Sequence, residues 1–216
     1  MPLQTIVEAI STRLHKITGD SELLKNLEWF KNRAEEQNNL EAPIIRKPFF
    51  CSGCPHNSSL KVPEGKRALG GIGCHYMAVD SIESTEFFTQ MGGEGTPWIG
   101  IAPFSHEEHV FANLGDGTYK HSGILAIRAS LDANVNITYK ILYNDAVAMT
   151  GGQEIGSNWD VEGIVKQVLA EGVKKVSILS EDPKRYNHLV KNGVKSLHRD
   201  AIMTEQVELS KYEGVS

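Results

Sequence analysis

One spacing constrains this chain more than any other feature. Gly115-Asp116-Gly117 is followed, 29 positions after Gly115, by Asn144-Asp145-Ala146 and then by Thr150-Gly151-Gly152-Gln153. Between the two polar clusters lie a helix-length segment, His121 to Ala133, and an apolar, β-rich run, Val135 to Tyr143. Strand end, glycine turn, helix, strand and polar loop in that order make one βαβ unit, which predicts a parallel α/β sheet. In open parallel sheets ligands bind outside the carboxyl ends of the strands, so both clusters can converge on one ligand. Asp116 and Asn144 offer hard oxygen donors suited to Mg²⁺, an ion that usually keeps phosphate oxygens and water in its shell. Gly115 and Gly117 permit close backbone approach, and the helix that follows offers unpaired N–H groups to a phosphate. Gly-Asp-Gly alone reads as a plain turn. The second cluster, at matching spacing on a strand end, reverses that reading.

The rest of the chain fits a folded domain of ordinary composition. At 216 residues, 40% hydrophobic and 23% charged, it can bury a full core. A net charge of −5 without a basic run argues against a nucleic-acid or polybasic membrane surface. No apolar stretch approaches the length of a membrane span, and no signal peptide is read at the N-terminus. Three cysteines, an odd number, fit a reducing cytoplasm better than a disulfide scaffold.

Residues 1–42 read as a helical lead-in. Leu3, Val7, Ile10, Leu14 and Ile17 recur at helical spacing, Gly19 interrupts, and Leu23, Leu24, Leu27 and Phe30 begin again. Lys31 to Asn39 is charged and amide-rich and reads as a tether, and Pro43 to Pro48 as extended chain. Glycine-rich Gln90 to Gly95 reads as a loop, with a helix from Trp98. After the second cluster come a helix from Val161 to Ala170, a strand from Val173 to Leu179, a helical stretch from Pro183 to Lys191, a strand from Val194 to His198 and a helix from about Asp200.

Cys51-Ser52-Gly53-Cys54 is a CxxC knuckle, with Cys74-His75 arriving 20 positions after Cys54. A redox CxxC needs a strand–helix context, and Pro55 gives no clear helix start. Zinc could take Cys51, Cys54 and Cys74 with His56 or His75. An iron–sulfur cluster normally takes four thiolates, and spacing alone puts zinc slightly ahead.

The Gly-Asp-Gly and Asn pair has the arrangement of the thiamine diphosphate motif. FCSGCPHNSS, GIGCHYM, FTQMGGEGTPWIG, NLGDGTYKHSG and ILYNDAVAMTGGQ also follow one another here in a recognisable order. With these segments the chain resembles the 2-oxoacid:ferredoxin oxidoreductases, and most of all the single-chain indolepyruvate ferredoxin oxidoreductases of bacteria. The resemblance covers nearly the whole chain and is strongest from about Phe49 to Tyr186. It implies a doubly wound parallel α/β fold, with residues 43–216 as the thiamine diphosphate-binding domain. It implies Mg²⁺ held by Asp116, Asn144 and the Ala146 carbonyl, and diphosphate lying against Gly115, Gly117, Thr150 and Gly151. Gly73 would lie between cofactor and cluster, with Cys51, Cys54 and Cys74 on a [4Fe–4S] cluster. The implied reaction is oxidative decarboxylation of a 2-oxoacid such as indolepyruvate, with coenzyme A taking the acyl group and ferredoxin the electrons. A catalytic glutamate is expected from a pyrimidine-binding domain that nothing here resembles, so Glu94 is not assigned that role and the partner chain must supply it.

In the relatives a further cysteine follows soon after the segment resembling Tyr212 to Ser216. The sequence therefore reads as a truncated piece or a split subunit, inactive by itself. Two alternatives stay open, a non-oxidative thiamine-dependent decarboxylase portion and a non-catalytic, zinc-stapled binding module.

Overall fold

The structure is a computed structural model that describes residues 3–39, 48–81, 85–156, 160–191 and 193–216. It divides into two compact units, 1–47 and 48–216. The predicted extended stretch from Pro43 lies outside the described residues up to position 47.

The first unit is a helical hairpin, α1 (Leu3–Thr18) and α2 (Glu22–Asn38). Gly19 turns the chain at φ +70°, in the left-handed region that favours glycine. The charged, amide-rich half of this helical lead-in is helix as well: α2 runs through Lys31 to Asn38. Glu, Lys, Arg and Gln are good helix formers, and Arg33–Glu36 pairs one turn apart. Leu27 is the one apolar side chain of this unit that is buried among the described residues, while Leu3, Ile10, Leu14 and Ile17 are exposed.

The second unit carries the sheet. Its elements in order are α3 (His56–Ser59), β1 (Ala68–Gly70), α4 (Ala78–Ser81), β2 (Thr85–Phe88), α5 (Thr96–Ile101), β3 (Val110–Gly115), α6 (Asp116–Thr118), α7 (Ile124–Asp132), β4 (Ile137–Leu142), β5 (Ala146–Val147), β6 (Gln153–Glu154), α8 (Val161–Glu171), β7 (Val176–Ser180), β8 (Val194–His198) and α9 (Ile202–Leu209). Four strands form a parallel sheet in the order β2-β1-β3-β4. β3 is buried from Val110 to Leu114, the near-continuous apolar run of a strand covered on both faces. Leu69, Ala112, Ile137 and Tyr139 pack in one core with Trp98 of α5, Ala126 and Ile127 of α7, and Ile164 and Val168 of α8. This is the α/β class read from the sequence.

The strand order matters for function. β2 lies on one side of β1, while β3 and β4 lie on the other. The winding therefore reverses between β1 and β3, and loops leaving their carboxyl ends part around a crevice, the usual ligand position in such sheets.

Three local features differ from the sequence reading. α3 begins directly after Pro55, which serves as its N-cap residue, so the knuckle does lead into one helical turn. The helix predicted from His121 is preceded by α6 and by a π turn over Tyr119–Gly123, and starts regular winding at Ile124. The strand read from Val173 to Leu179 runs from Val176 to Ser180, pairs with β8 in a two-stranded sheet, and builds a separate cluster of Val165, Ile178 and Val194.

Candidate functional site

At the end of β3 the chain turns at Gly115 into α6, and Asp116 is almost fully buried. Its Oδ1 accepts the Gly117 N–H at 2.8 Å, and its Oδ2 accepts the N–H groups of Asn144 at 2.8 Å and Asp145 at 2.7 Å. The two clusters that the sequence separates by 29 positions are thus bolted together by one carboxylate. Asp145 sits at φ +58°, a conformation that Asp tolerates better than most side chains. The Asn144 side-chain oxygen accepts the Ala146 N–H at 3.1 Å and fixes the entry into the β5–β6 hairpin. At the hairpin tip, Thr150 Oγ1 donates to Gln153 Oε1 at 2.6 Å and Gln153 Nε2 donates to the Thr150 carbonyl at 2.8 Å.

This arrangement can be tested against a divalent cation and a diphosphate. A carboxylate offers about four lone-pair sites, and three N–H groups leave one free, on Oδ1. Asn144 Oδ1 likewise keeps one. Two hard oxygens with residual capacity, on adjoining loops, fit Mg²⁺ chemistry.

The loop after β1 is held differently. His75 is buried, and its Nε2 accepts the Gly71 N–H at 3.1 Å, which assigns the ring proton to Nδ1. Burial, and then the neighbouring charge of His56, pulls the His75 pKa down to about 4, so the ring is neutral at pH 7. A Cβ built on Gly115 would lie 3.9 Å from His75 Cε1, so the imidazole stands between the two loops. Glu94 closes the other side. Its Oε2 accepts the Gly92 N–H at 2.8 Å, and a Cβ on Gly71 would lie 2.0 Å from its Oε1. No hydrogen-bond partner meets Oε1 among the described residues. Burial pushes the Glu94 carboxyl pKa upward, against the pull of the N–H groups of Glu94 itself and Gly92. Gly92 is itself obligatory, with φ +91° and Ser122 Oγ only 2.5 Å from where its Cβ would stand.

The cysteines lie at one end of a large trough whose wall also includes His56 and Asn144. Cys54 N–H donates to the Cys51 carbonyl at 3.0 Å, closing the knuckle turn. All three thiols are free; burial, and then the Cys54 and Cys51 thiols, push the Cys74 pKa up. The arm that carries the knuckle is tied down twice. Lys140 of β4 donates to the Ser59 carbonyl at 3.0 Å, and Arg199 donates to Ser58 Oγ at 2.8 Å. Among the described residues no three His, Cys, Asp or Glu side chains are gathered into a metal-binding set. The thiols therefore share a cavity without forming a closed ligand group. Sulfur-only donors match an iron–sulfur cluster, one short of the usual four. His75 spends Nε2 on Gly71, which leaves His56 as the histidine of the zinc alternative.

Sequence reasoning treated His75 only as a spare zinc ligand and declined Glu94. The structure makes His75 a support of the β1 loop, and packs Glu94, which is bonded to Gly92 in the loop after β2, against Gly71. The available signal was the pairing of each with glycines two to four positions away, which short loops need when a bulky group fills the space above the backbone.

Comparison with known proteins agrees with this geometry. The family described as thiamine pyrophosphate enzyme, C-terminal TPP binding domain, matches residues 71–190. Indolepyruvate oxidoreductase subunit IorA of Thermococcus kodakarensis is 27% identical over 150 residues, covering 60% of this chain and 23% of that protein. The same subunit of Archaeoglobus fulgidus is 28% identical over 163 residues, covering 67% and 26%. The chain thus spans about a quarter of the curated relatives' length. Among solved structures, 2-oxoglutarate:ferredoxin oxidoreductase from Magnetococcus marinus, with 2-oxoglutarate, coenzyme A and succinyl-CoA bound, superposes with a TM-score of 0.56. It shares 20% identity and is covered over 64% of its chain by 83% of this one, which supports the fold. With the match over 71–190 taking in more than half of its residues, this chain belongs to the thiamine pyrophosphate enzyme family and carries its C-terminal TPP-binding domain.

Proposed function

We propose that this chain is the cofactor-binding portion of a 2-oxoacid:ferredoxin oxidoreductase. It would take part in oxidative decarboxylation of an arylpyruvate such as indolepyruvate to the acyl-coenzyme A. One observation carries the reading: the Asp116 carboxylate joins the Gly-Asp-Gly and Asn-Asp-Ala loops at the carboxyl ends of adjacent strands. Thiamine diphosphate, when bound, supplies the electron sink that lets a 2-oxoacid lose CO₂.

The chain's own residues bind and orient. Asp116 Oδ1, Asn144 Oδ1 and the Ala146 carbonyl would hold Mg²⁺, with the backbone at Gly115, Gly117, Thr150 and Gly151 against the diphosphate. Gly73 would face the cofactor on the cysteine side. Cys51, Cys54 and Cys74 would carry a [4Fe–4S] cluster whose fourth ligand comes from elsewhere. Neutral His75 keeps the β1 loop seated without adding charge beside the cations. The domain assigned this work is residues 43–216. A pyrimidine-binding domain in another chain would bring the catalytic glutamate, because proton transfer needs a group within hydrogen-bond reach of the reacting atom. Coenzyme A and ferredoxin are the further partners, in the cytoplasm. No helix among the described residues is long and apolar enough to cross a membrane.

Calorimetry of the purified chain tests the reading. Thiamine diphosphate should bind weakly and only with Mg²⁺. Mg²⁺-independent heat of the same size would remove the metal assignment. Iron with acid-labile sulfide in the isolated protein supports the oxidoreductase, whereas zinc without sulfide returns the binding module. The isolated chain, given cofactor, coenzyme A and indolepyruvate, should not reduce a viologen dye.

A further inference from the structure

The crevice between the loops after β1 and β3 holds one donor that the fold leaves unused, on the His75 ring. The two ring nitrogens have different surroundings. Nε2 accepts the Gly71 N–H at 3.1 Å, so the proton of the neutral ring sits on Nδ1. Among the described residues no acceptor meets that Nδ1–H. A side chain only 1% exposed ordinarily has its polar atoms paired, so the free donor calls for an explanation.

Glycines border the same edge of the ring. A Cβ built on Gly73 would stand 2.9 Å from Nδ1 and 2.8 Å from Cε1. One built on Gly115 would stand 3.9 Å from Cε1. Neither residue needs to be glycine for its backbone. Gly73 is extended at φ 167°, and Gly115 has an ordinary φ of −71°. What both supply is space. Two loops from different strand ends therefore leave the Nδ1–Cε1 edge uncovered, where a methyl at position 73 would press onto it. The opening is narrow, and the one polar group at its floor is a donor. It suits a single acceptor atom of a ligand.

We propose that His75 is a ligand-contacting residue, whose Nδ1–H donates a hydrogen bond to an anionic oxygen seated over Gly73 and Gly115. The inference rests on the cofactor-binding reading above and adds a contact to it. Two sources carry such an oxygen, the diphosphate of the cofactor and the carboxylate of a 2-oxoacid. The two nitrogens then divide the work. Nε2 holds the β1 loop through Gly71 and, by accepting there, fixes the tautomer that aims Nδ1–H at the ligand, as the second partner of an imidazole commonly does. A neutral donor orients the oxygen and leaves its charge for the cation.

Heteronuclear NMR of the His75 ring in the whole chain tests this. In the free chain the Nδ1–H should exchange with water. Mg²⁺ with inorganic pyrophosphate should slow that exchange by about tenfold if the diphosphate is the acceptor. If the carboxylate is the acceptor, the same slowing should appear only when indolepyruvate is added to chain loaded with Mg²⁺ and thiamine diphosphate. His75→Gln keeps an acceptor for the Gly71 N–H and has no donor at the Nδ1 position. By calorimetry it should bind the protecting ligand about tenfold more weakly than the parent. Should that variant not fold, the exchange measurement on the parent decides alone. Mg²⁺-dependent binding to the parent with ring exchange unchanged by either ligand overturns the His75 contact and leaves the cofactor reading standing. A parent chain that binds neither pyrophosphate nor thiamine diphosphate overturns that reading and the contact with it.

Discussion

Two glycine-bearing loops leave the sheet side by side at the point where its winding reverses, and opposite chemistry holds them down. The loop after β3 is anchored by a carboxylate that accepts three backbone N–H groups from two segments. The loop after β1 is anchored by a histidine kept neutral by burial, and a buried carboxyl of raised proton affinity, Glu94, bonded to Gly92 in the loop after β2, packs against its Gly71. A diphosphate with Mg²⁺ belongs beside the first, where lone pairs remain. The second carries a neutral His75, which adds no charge on that side.

The largest effect should follow from breaking the charged anchor. Asp116→Ala orphans three N–H groups in a buried setting, and hydrogen bonds to a charged group contribute about 1.5–3 kcal/mol each. A loss on the order of 3 kcal/mol or more in urea unfolding is expected, together with loss of Mg²⁺-dependent cofactor binding. A loss of binding with stability unchanged would mean that the carboxylate serves the ligand alone and does not join the loops.

Acid should break the neutral anchor next. The folded-state pKa of His75 lies at about 4, below the ordinary value of 6.5. Between those values the unfolded chain takes up a proton that the folded one refuses, so stability falls as pH drops from 6.5 towards 4. That interval amounts to about 3 kcal/mol. His109, also lowered to about 4 by burial, adds a similar share. His75→Gln keeps an acceptor for Gly71 and should remove part of the acid slope, the remainder coming from His109 and from His56, whose pKa burial also lowers. An unaltered slope would show that the His75 ring is not shielded.

Much of this was legible in the sequence and some of it could not have been. The strand end before Gly115, the helix-length segment after it and the apolar, β-rich run that follows marked β3, α7 and β4, and those elements put Asp116 and Asn144 at neighbouring strand ends. β1 and β2, of three and four residues, are too short for periodicity to register, and the sequence marks no strand at either. The triple load on Asp116 was hidden because its donors are main-chain groups, which every residue has. Glu94 comes up for catalysis only because thiamine enzymes need a glutamate, a role it is not assigned, and nothing in one sequence says that its carboxyl faces the core. Asn144 reads as a ligand either way.

Glycines sharpen the contrast at intermediate size. Gly71→Ala drives a methyl into Glu94 and should cost about 1–3 kcal/mol, the usual range for overpacking. Gly115→Ala meets nothing nearer than 3.9 Å at an ordinary φ of −71° and should leave stability within about 0.5 kcal/mol. Thiamine diphosphate affinity of the second variant then reports backbone approach to the diphosphate separately from folding. Equal destabilisation by the two would erase the difference between the loops.

A small, pH-dependent effect is expected of Glu94→Gln, and its sign decides whether Glu94 stands beside the β1 loop without charge. In the folded chain the carboxyl holds its proton to a higher pH than in the unfolded chain, because burial outweighs the N–H groups of Glu94 and Gly92. Over the window from the ordinary carboxyl value up to that raised value, stability therefore falls as pH rises. Glutamine carries no such proton. It keeps an acceptor for the Gly92 N–H but places an amide where Oε1 now has no partner, which costs on the order of 1 kcal/mol. The variant should be slightly less stable than the parent at pH 5, and the gap should close or reverse by pH 8, read as urea midpoints at the two pH values. A gap that widens with pH would mean that a charged Glu94 carboxylate grips Gly92. A second carboxylate would then stand beside the β1 loop, on the side of the crevice where His75 adds no charge.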